Sequence, residues 1–256
     1  MNAVGATAAP HLDHVQGNPD GAGPLVVLLH GLGGNSGVWA GLTPLLQGRR
    51  WLALDLPGHG RSDPLPVYGY REVAEAVHAA LPGDEEIALI GHSFGGAVGL
   101  VLAGMRPLSA VVSVGLRADW PASFVQVLQT LGTKPPRWFD QRADAAHFLL
   151  HINALTGLVD QDGDFVRRGL QHRDRRWAAA VHPPAFAVGP PPFEALLGGA
   201  GDTPLTLAHG QDDVMIAVGD YDRFRAWSSV AVVVLPGLSH NAHAQDPGAV
   251  AALLRA

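Results

Sequence analysis

The stretch EIALIGHSFGGA, residues 86–97, passes from a short apolar run through three glycines into a second apolar segment. The run EIALI is typical of a strand that is covered on both faces of a sheet. Glycines at 91 and 95 stand two residues before and after Ser93, where a side chain would collide with a sharp turn. The stretch therefore indicates a strand, a strained turn that exposes the serine hydroxyl, and a helix.

Apolar runs alternate with amphipathic segments over much of the chain. This alternation indicates β-α-β units and an α/β fold, in which helices flank a central, mostly parallel sheet. The predicted strands cover residues 25–30, 51–56, 86–91, 109–115, 203–210 and 230–237. The predicted helices cover residues 70–81, 96–105, 221–227 and 248–256. Strand and helix therefore alternate at both ends of the chain.

Residues 116–200 differ from the rest because they show no strand run and contain the proline-rich stretches TKPPRW, HPP and GPPP. Helical patches such as DAAHFLLHINALTGL lie between these stretches. We therefore expect a helical cap, or lid, over residues 116–200, inserted between two strands. The core would then comprise residues 1–115 and 201–256.

Composition excludes several kinds of protein. A formal net charge of −6 and a pI near 6.1 provide no basic field for nucleic acid or an anionic membrane. The absence of cysteine excludes disulfides, zinc–thiolate sites and a cysteine nucleophile. No stretch reaches the roughly 18 apolar residues of a membrane span, and MNAVGATAAPHLDHV lacks the features of a secretory signal. We expect a cytoplasmic protein with a small-molecule partner, no cofactor and no metal.

Two later loops offer the partners that a serine nucleophile needs, since serine alone is a weak nucleophile. His240 follows the run VAVVVLPG, and His243 lies three residues further on. Asp212 and Asp213 follow the predicted strand TPLTLAHG. A base and an acid in these loops would stand with Ser93 at the carboxyl edge of the sheet. His240 is the preferred base and His243 the alternative.

Five ordered motifs together make the chain resemble the serine-nucleophile branch of the α/β-hydrolase superfamily. They are His30-Gly31-Leu32, DLPGHGRSD at 55–63, GHSFGG at 91–96, the spacing from Gly210 to Asp213 and the spacing from His240 to Pro247. The resemblance covers nearly the whole chain except the middle insertion. It implies the α/β-hydrolase fold and a catalytic triad.

The resemblance also assigns a role to each member of the triad. It implies Ser93 as the nucleophile, His240 as the base and Asp213, rather than its neighbour Asp212, as the acid. Some members of the superfamily place the acid after the preceding strand. That variation makes Asp119, in VGLRADW, the reserve candidate.

An oxyanion hole is implied by the same register. Its donors would be the backbone N–H groups of Leu32, which follows the His-Gly motif, and Phe94, which follows the serine. Because only the backbone is used, both side chains can face the substrate pocket.

These residues predict a serine hydrolase of the EC 3.1 type that cleaves a carboxylic ester, thioester or lactone through an acyl-enzyme on Ser93. The segment HNAHAQDP is similar to the end of menaquinone-pathway synthases that eliminate pyruvate, but Ala97 stands where those enzymes usually carry an arginine. Pyruvate elimination, C–C bond hydrolysis, lyase and perhydrolase chemistry therefore stay as alternatives. A non-catalytic small-ligand receptor is a further alternative.

The substrate pocket is expected to be built largely from the cap, where the family motifs assign no residues. Trp120, Phe124, Trp138 and Phe139 are candidates either for an apolar acyl site or for the core of the cap. The identity of the acyl group therefore stays open at this point.

Two polar stretches of the cap each have two interpretations. The run RRGLQHRDRRW, with five arginines at 167–176, predicts either a solvated helix face or a clamp for a substrate carboxylate or phosphate. His147 and His151 have the spacing of helical zinc ligands, but no glutamate of an H-E-x-x-H motif lies between them. Ordinary histidines on a cap helix are the preferred interpretation.

Overall fold

The computed structural model describes residues 9–217 and 219–255. The strands are β1 His14–Gly17, β2 Leu25–Leu29, β3 Trp51–Leu54, β4 Ile87–His92, β5 Ala110–Val114, β6 Leu170–Arg173, β7 Arg176–Ala179, β8 Leu205–Gly210 and β9 Val230–Leu235. Seven of them form one sheet in the order β1-β3-β2-β4-β5-β8-β9. β1 runs antiparallel to β3, and all other neighbours are parallel. The predicted α/β fold with a mostly parallel sheet is confirmed.

Helices cover both faces of this sheet. The α-helices are α1 Tyr70–Ala80, α2 Phe94–Ala103, α3 Ala122–Thr133, α4 Arg142–Ile152, α5 Asp164–Gly169, α6 Phe193–Gly199, α7 Ala242–Gln245 and α8 Pro247–Ala252. Short 3₁₀ helices cover Ser36–Gly41, Thr43–Leu45, Pro183–Val188, Asp222–Ala226 and Leu253–Arg255. The helices therefore enclose the sheet as two outer layers.

The strands are continuously apolar because successive side chains enter different cores. Val27 of β2 packs in the core that contains α1 and α2. Its neighbours Val26 and Leu28 pack in the opposite core, with Trp39 and Val250. Side chains alternate across a strand, so a strand with helices on both faces needs an apolar residue at every position.

The six predicted strands are confirmed, each within two residues of its observed bounds. The predicted helices 70–81 and 96–105 correspond to α1 and α2, and residues 221–227 form only a 3₁₀ helix. The predicted helix 248–256 is α8 followed by a 3₁₀ helix, with Ala256 outside the described residues. β1 is missed because its four residues, HVQG, are largely exposed and lack an apolar run.

The segment between β5 and β8 contains a β-hairpin that its sequence pattern does not predict. α5 ends at Gly169, and β6 and β7 then pair as an antiparallel hairpin. Asp174 and Arg175 form its two-residue loop with φ values of 49° and 63°, as a tight hairpin turn requires. The interpretation of residues 167–177 as a helix face is therefore wrong beyond Gly169, where pairing between β6 and β7 replaces the helix.

Two helices in this segment pack directly on the core. Phe193 and Leu197 of α6 lie in the same apolar cluster as α2. Phe165 of α5 lies in the opposite cluster, and the backbone of α5 presses on Gly37 so closely that a Cβ there would stand 2.5 Å from the Phe165 nitrogen. The segment is thus attached to both faces of the sheet.

In the part of the chain that the structure describes, no helix is both long enough and apolar enough to cross a membrane. Residues 1–8, on which the expectation about a secretory signal partly rests, lie outside the described residues.

A buried ion cluster joins α5 to the core. The Arg168 guanidinium contacts the carboxylate of Asp13 and lies 3.0 Å from that of Asp55, which is fully buried. Asp55 also accepts backbone N–H groups of Ser36 and Arg61 at 2.8 and 3.0 Å. Burial raises the pKa of Asp55. Hydrogen bonds from Ser36 and the electrostatic effect of His30 lower it by more, so the pKa lies below its usual value. The negative charge of the buried Asp55 carboxylate is therefore stabilised by these hydrogen-bond donors and by Arg168.

We expect Arg168→Met to lower the free energy of unfolding by about 3 kcal/mol, because it leaves the buried Asp55 carboxylate without its cationic partner. Urea titration monitored by circular dichroism measures the change. Arg167→Met is the matched control: Arg167 is an exposed neighbour that pairs with Asp164, and its loss should change stability by about 0.5 kcal/mol or less. Equal losses in the two variants would contradict the buried role of Arg168.

Candidate active site

The turn between β4 and α2 holds Ser93 in a strained conformation. Its φ of 49° and ψ of −113° lie in a region that residues other than glycine rarely adopt. A Cβ on Gly91 would stand 2.4 Å from the carbonyl oxygen of Gly95, and one on Gly95 would stand 2.3 Å from that of Leu29. The Ser93 N–H donates to the carbonyl of Val114 at 2.8 Å. Close backbone packing therefore holds the serine at the strand end.

His240 and Asp213 form a hydrogen-bonded pair in the loops that follow β9 and β8. His240 Nδ1 lies 2.9 Å from Asp213 Oδ2, and the Asp213 side chain is fully buried. The backbone N–H of Met215 donates to Oδ1 of the same carboxylate at 2.8 Å. The N–H of Asp212 donates to the carbonyl of Leu238 at 2.8 Å and so ties the two loops together. A proton on Nδ1 leaves Nε2 as the basic nitrogen of His240.

Asp119, Asp212 and His243, the alternative candidates for the acid and the base, lie in different environments. The Asp119 carboxylate is exposed and lies 3.2 Å from Arg223. Asp212 is exposed as well. His243 is buried against the ring of His92, with a centroid separation of 4.1 Å, and neither of its ring nitrogens has a partner among the described residues. Asp213 is thus the carboxylate that contacts His240.

The two candidate oxyanion donors, Leu32 and Phe94, belong to two different segments beside Ser93 in the cavity lining. Leu32 is in the loop after β2, and Phe94 is the first residue of α2. Both line the cavity that Ser93 lines. Within the described residues neither backbone N–H donates to a protein acceptor. Both N–H groups are therefore available to a developing negative charge.

Ser93 and His240 line one cavity of about 620 Å³ beneath the segment between β5 and β8. α3 contributes one of its faces, because its lining residues are spaced three or four positions apart. These residues are Phe124, Val127, Leu128 and Leu131, followed by Lys134 just beyond the helix. The cavity is therefore largely apolar and suits an acyl group.

The four aromatic residues named as pocket candidates divide into two pairs. Trp120 and Phe124 line the cavity. Trp138 and Phe139 are absent from the described lining residues, and Phe139 forms an isolated bridge with Trp177 of the hairpin instead. The first pair belongs to the cavity, and the second lies outside its described lining, in the segment between β5 and β8.

The interpretation of arginines 167–176 as a substrate clamp is wrong, because none of them lines the cavity in the described part of the chain. Arg168 is held by Asp13 and Asp55, and the remaining four lie on the exposed side of α5 and the hairpin. The cations that line the cavity are Arg117, Lys134 and Arg137. The sequence pattern does not single them out, and the one signal for Lys134 is its position three residues after Leu131, which lines the cavity from α3.

The histidines with metal-like spacing do not converge on a site. His147 and His151 are exposed on α4. Over residues 9–217 and 219–255, no group of three or more His, Cys, Asp or Glu side chains is arranged to hold a metal ion. The spacing at 147 and 151 therefore reflects two solvent-facing positions on a helix.

Buried histidines next to the site are held in the neutral form. Burial lowers the pKa of His92 well below its usual value, and the neighbouring His243 and His240 lower it further. Burial, assisted by His240, lowers the pKa of His243 to about 3. His92 Nε2 lies 3.0 Å from the carbonyl oxygen of His240, so a proton on Nε2 donates to that loop. His92 thereby supports the backbone that carries His240.

The strained serine after β4, the histidine–carboxylate pair after β8 and β9, and the covered cavity define an α/β enzyme whose site lies at the carboxyl edge of a parallel sheet. Residues 24–247 match the family model described as alpha/beta hydrolase fold. The chain therefore belongs to the α/β-hydrolase fold family, as its motifs predict.

Relatives in this family include esterases and synthases. The chain is 42% identical to a pimeloyl-[acyl-carrier protein] methyl ester esterase of Methylococcus capsulatus over 102 residues, 40% of this chain and 39% of that protein. It is 27% identical over 254 residues, 90% of each chain, to a 2-succinyl-6-hydroxy-2,4-cyclohexadiene-1-carboxylate synthase of an Enterobacter species. A thioesterase domain from the curacin biosynthetic pathway superposes with a TM-score of 0.80 at 24% identity, covering 98% of this chain and 97% of that one. The last similarity shows the shared fold.

We expect the neutral His243 to make stability depend on pH. At pH 5.5 the unfolded chain binds a proton at this histidine and the folded chain does not, because its folded pKa is about 3. Stability should therefore fall between pH 7.5 and 5.5, and His243→Leu should remove about 1.4 kcal/mol of that fall. Urea titrations at both pH values measure it. His78→Leu, at an exposed position on α1, should leave the fall unchanged, and identical pH dependence in all three proteins would contradict the prediction.

Proposed function

We propose that the protein is a serine hydrolase that cleaves a carboxylic ester, thioester or lactone through an acyl-enzyme on Ser93. The observation that carries this proposal is the 2.9 Å contact between His240 Nδ1 and Asp213 Oδ2, next to a cavity that Ser93 also lines. The similarity to a methyl ester esterase supports ester cleavage. The segment between β5 and β8 acts as the lid of the site.

The proposed reaction has two halves. Ser93 Oγ attacks the substrate carbonyl while His240 Nε2 takes the hydroxyl proton, and Asp213 stabilises the imidazolium that forms. The N–H groups of Leu32 and Phe94 hold the oxyanion, and His240 then protonates the leaving group. Water, deprotonated by His240, attacks the acyl-enzyme in the same geometry and releases the acid.

The environment of His240 supports its role as the base. Its neighbours His92 and His243 are buried and kept neutral, so they add no positive charge that would oppose the imidazolium. Asp213 is the carboxylate that contacts the ring. The charge that develops on His240 is therefore compensated by Asp213.

Labelling with a fluorophosphonate probe tests the nucleophile. We expect one adduct on the peptide that contains Ser93, read by intact mass and peptide mapping. Ser93→Ala should abolish it and His240→Ala should slow it by at least about 100-fold, since the serine then lacks its base. Ser123→Ala, at an exposed position on α3, is the matched control and should label like the original protein. A folded protein that stays unlabelled would overturn the enzyme proposal and favour a receptor.

Substitution of each candidate acid tests which of the two belongs to the triad. Asp213→Asn should lower kcat for an activated ester by at least about 100-fold, because the amide favours the wrong tautomer of His240. Asp119→Asn should stay within about twofold, since Asp119 pairs with the exposed Arg223. The opposite order of activities would identify Asp119 as the acid.

A second candidate is elimination of pyruvate by the same triad. The similarity to the Enterobacter synthase over 90% of each chain favours it. Ala97 argues against it, because this position is fully buried in the core and carries no arginine. Pyruvate release, measured with lactate dehydrogenase and NADH, separates the two reactions: release from the synthase substrate without cleavage of esters would replace the esterase proposal.

A further inference from the structure

The cavity has an unusual balance of charge. The chain carries 23 acidic against 17 basic residues. Among the described residues that line the cavity there is nevertheless no aspartate or glutamate, while Arg117, Lys134 and Arg137 are present. The pocket is therefore positively charged in a protein of negative net charge.

Two of the three cations belong to one short segment with a stiff backbone. Lys134, Pro135, Pro136 and Arg137 all line the cavity and directly follow the end of α3 at Thr133. The proline rings fix φ at both central positions. Lys134 and Arg137 are exposed, so they stand where the cavity opens to solvent. Their backbone spacing is set before any ligand binds, which lowers the entropic cost of binding.

Arg137 is held in place by aromatic rings. Its guanidinium carbon lies 4.9 Å from the ring centroid of Phe139 and 5.2 Å from that of Phe148. Stacking of this kind uses the face of the guanidinium and leaves its N–H donors at the edge free for an anion. Within the described residues no carboxylate pairs with Lys134 or Arg137, whereas Arg142 on the next helix pairs with Asp162 at 2.8 Å.

A structural role accounts for only part of this arrangement. A lysine just after a helix complements the negative end of the helix dipole, which suits Lys134. Arg137 lies three residues further on, beyond the reach of that effect. Arg117 is a different case, because its Nε–H donates to the backbone carbonyl of Asp119 at 2.9 Å and it stands near the other end of α3. Within the described residues, Lys134 and Arg137 therefore remain the two cavity cations whose charge no carboxylate neutralises.

We infer that Lys134 and Arg137 bind an anionic group of the substrate, a carboxylate or a phosphate, while its apolar part occupies the cavity beside Ser93. This inference rests on the proposed hydrolase function and names its substrate class as anionic esters or thioesters. Charge-assisted hydrogen bonds and a planar guanidinium fork suit both anions.

Matched substrates test the inference kinetically. The 4-nitrophenyl monoester of adipic acid carries a free carboxylate, and its methyl-capped diester is the neutral counterpart. We expect Lys134→Gln and Arg137→Gln each to lower kcat/KM for the anionic ester about fivefold, an effect moderated by the open, salt-screened position. The neutral ester should change by less than about twofold. Arg176→Gln, a cap arginine outside the cavity lining, is the matched control and should leave both substrates unaffected.

A pair of thioesters distinguishes whether the anionic group lies on the leaving group or on the acyl chain of the substrate. Hexanoyl 4′-phosphopantetheine carries a phosphate on its leaving group, and hexanoyl pantetheine lacks it. A phosphate preference that the Lys134 and Arg137 variants lose places the anion on the leaving group. A preference for the adipate monoester alone places it on the acyl chain. If the variants retain the selectivity of the original protein in both series, the inference is wrong while the hydrolase proposal stands.

Lys134 also permits a binding measurement that does not depend on catalysis, since it is the only lysine in the sequence. Reductive methylation of the Ser93→Ala protein, read on the peptide that contains Lys134, should be slowed at least about threefold by monomethyl adipate or 4′-phosphopantetheine. Dimethyl adipate and pantetheine should give no protection. Protection without any ester cleavage by the original protein would retain the anion site and overturn the hydrolase function. Equal labelling with and without anions would overturn the anion site.

Discussion

The close approach of α2 to the end of β2 sets the position of the whole site. Gly95 lies so near the Leu29 carbonyl that the first turn of α2 is pressed onto the sheet, and Ser93 is held at a positive φ as a result. β4 stands between β2 and β5, so the turn emerges at the middle of the sheet edge. Parallel strands end at one edge, and the loop with Leu32 and the loop with His240 therefore converge on the same point.

The histidines near this point illustrate how burial and partners divide one residue type into different roles. His30 accepts the backbone N–H of Leu56 at 2.9 Å, and burial lowers its pKa. His92 supports the His240 carbonyl, and His243 packs against rings without a polar partner among the described residues. His240 is the member of this group that contacts a carboxylate. A buried imidazole without such a partner resists protonation, so His240 is the histidine of this group that suits the proposed proton transfer.

The arginines show a similar division. Arg168 is enclosed by Asp13 and Asp55 and holds α5 against the core, so its charge has a structural role. Arg137 is fixed by two phenylalanine rings at the opening of the cavity, and the proposed anion would bind to its N–H donors. Neither role follows from the residue type, because both depend on which groups other segments bring into contact with the guanidinium.

Local patterns were sufficient for the six main strands and the serine turn, and the order of these short patterns along the chain was sufficient for the α/β class and the family. The motif register also named Asp213 and His240, which the fold brings to 2.9 Å across 27 positions of sequence. The hairpin at β6 and β7, the burial of Arg168 and the cations of the cavity could not be read in this way. Each is settled by packing between distant segments, where the energy of a contact depends on the neighbours that folding supplies and not on the local pattern.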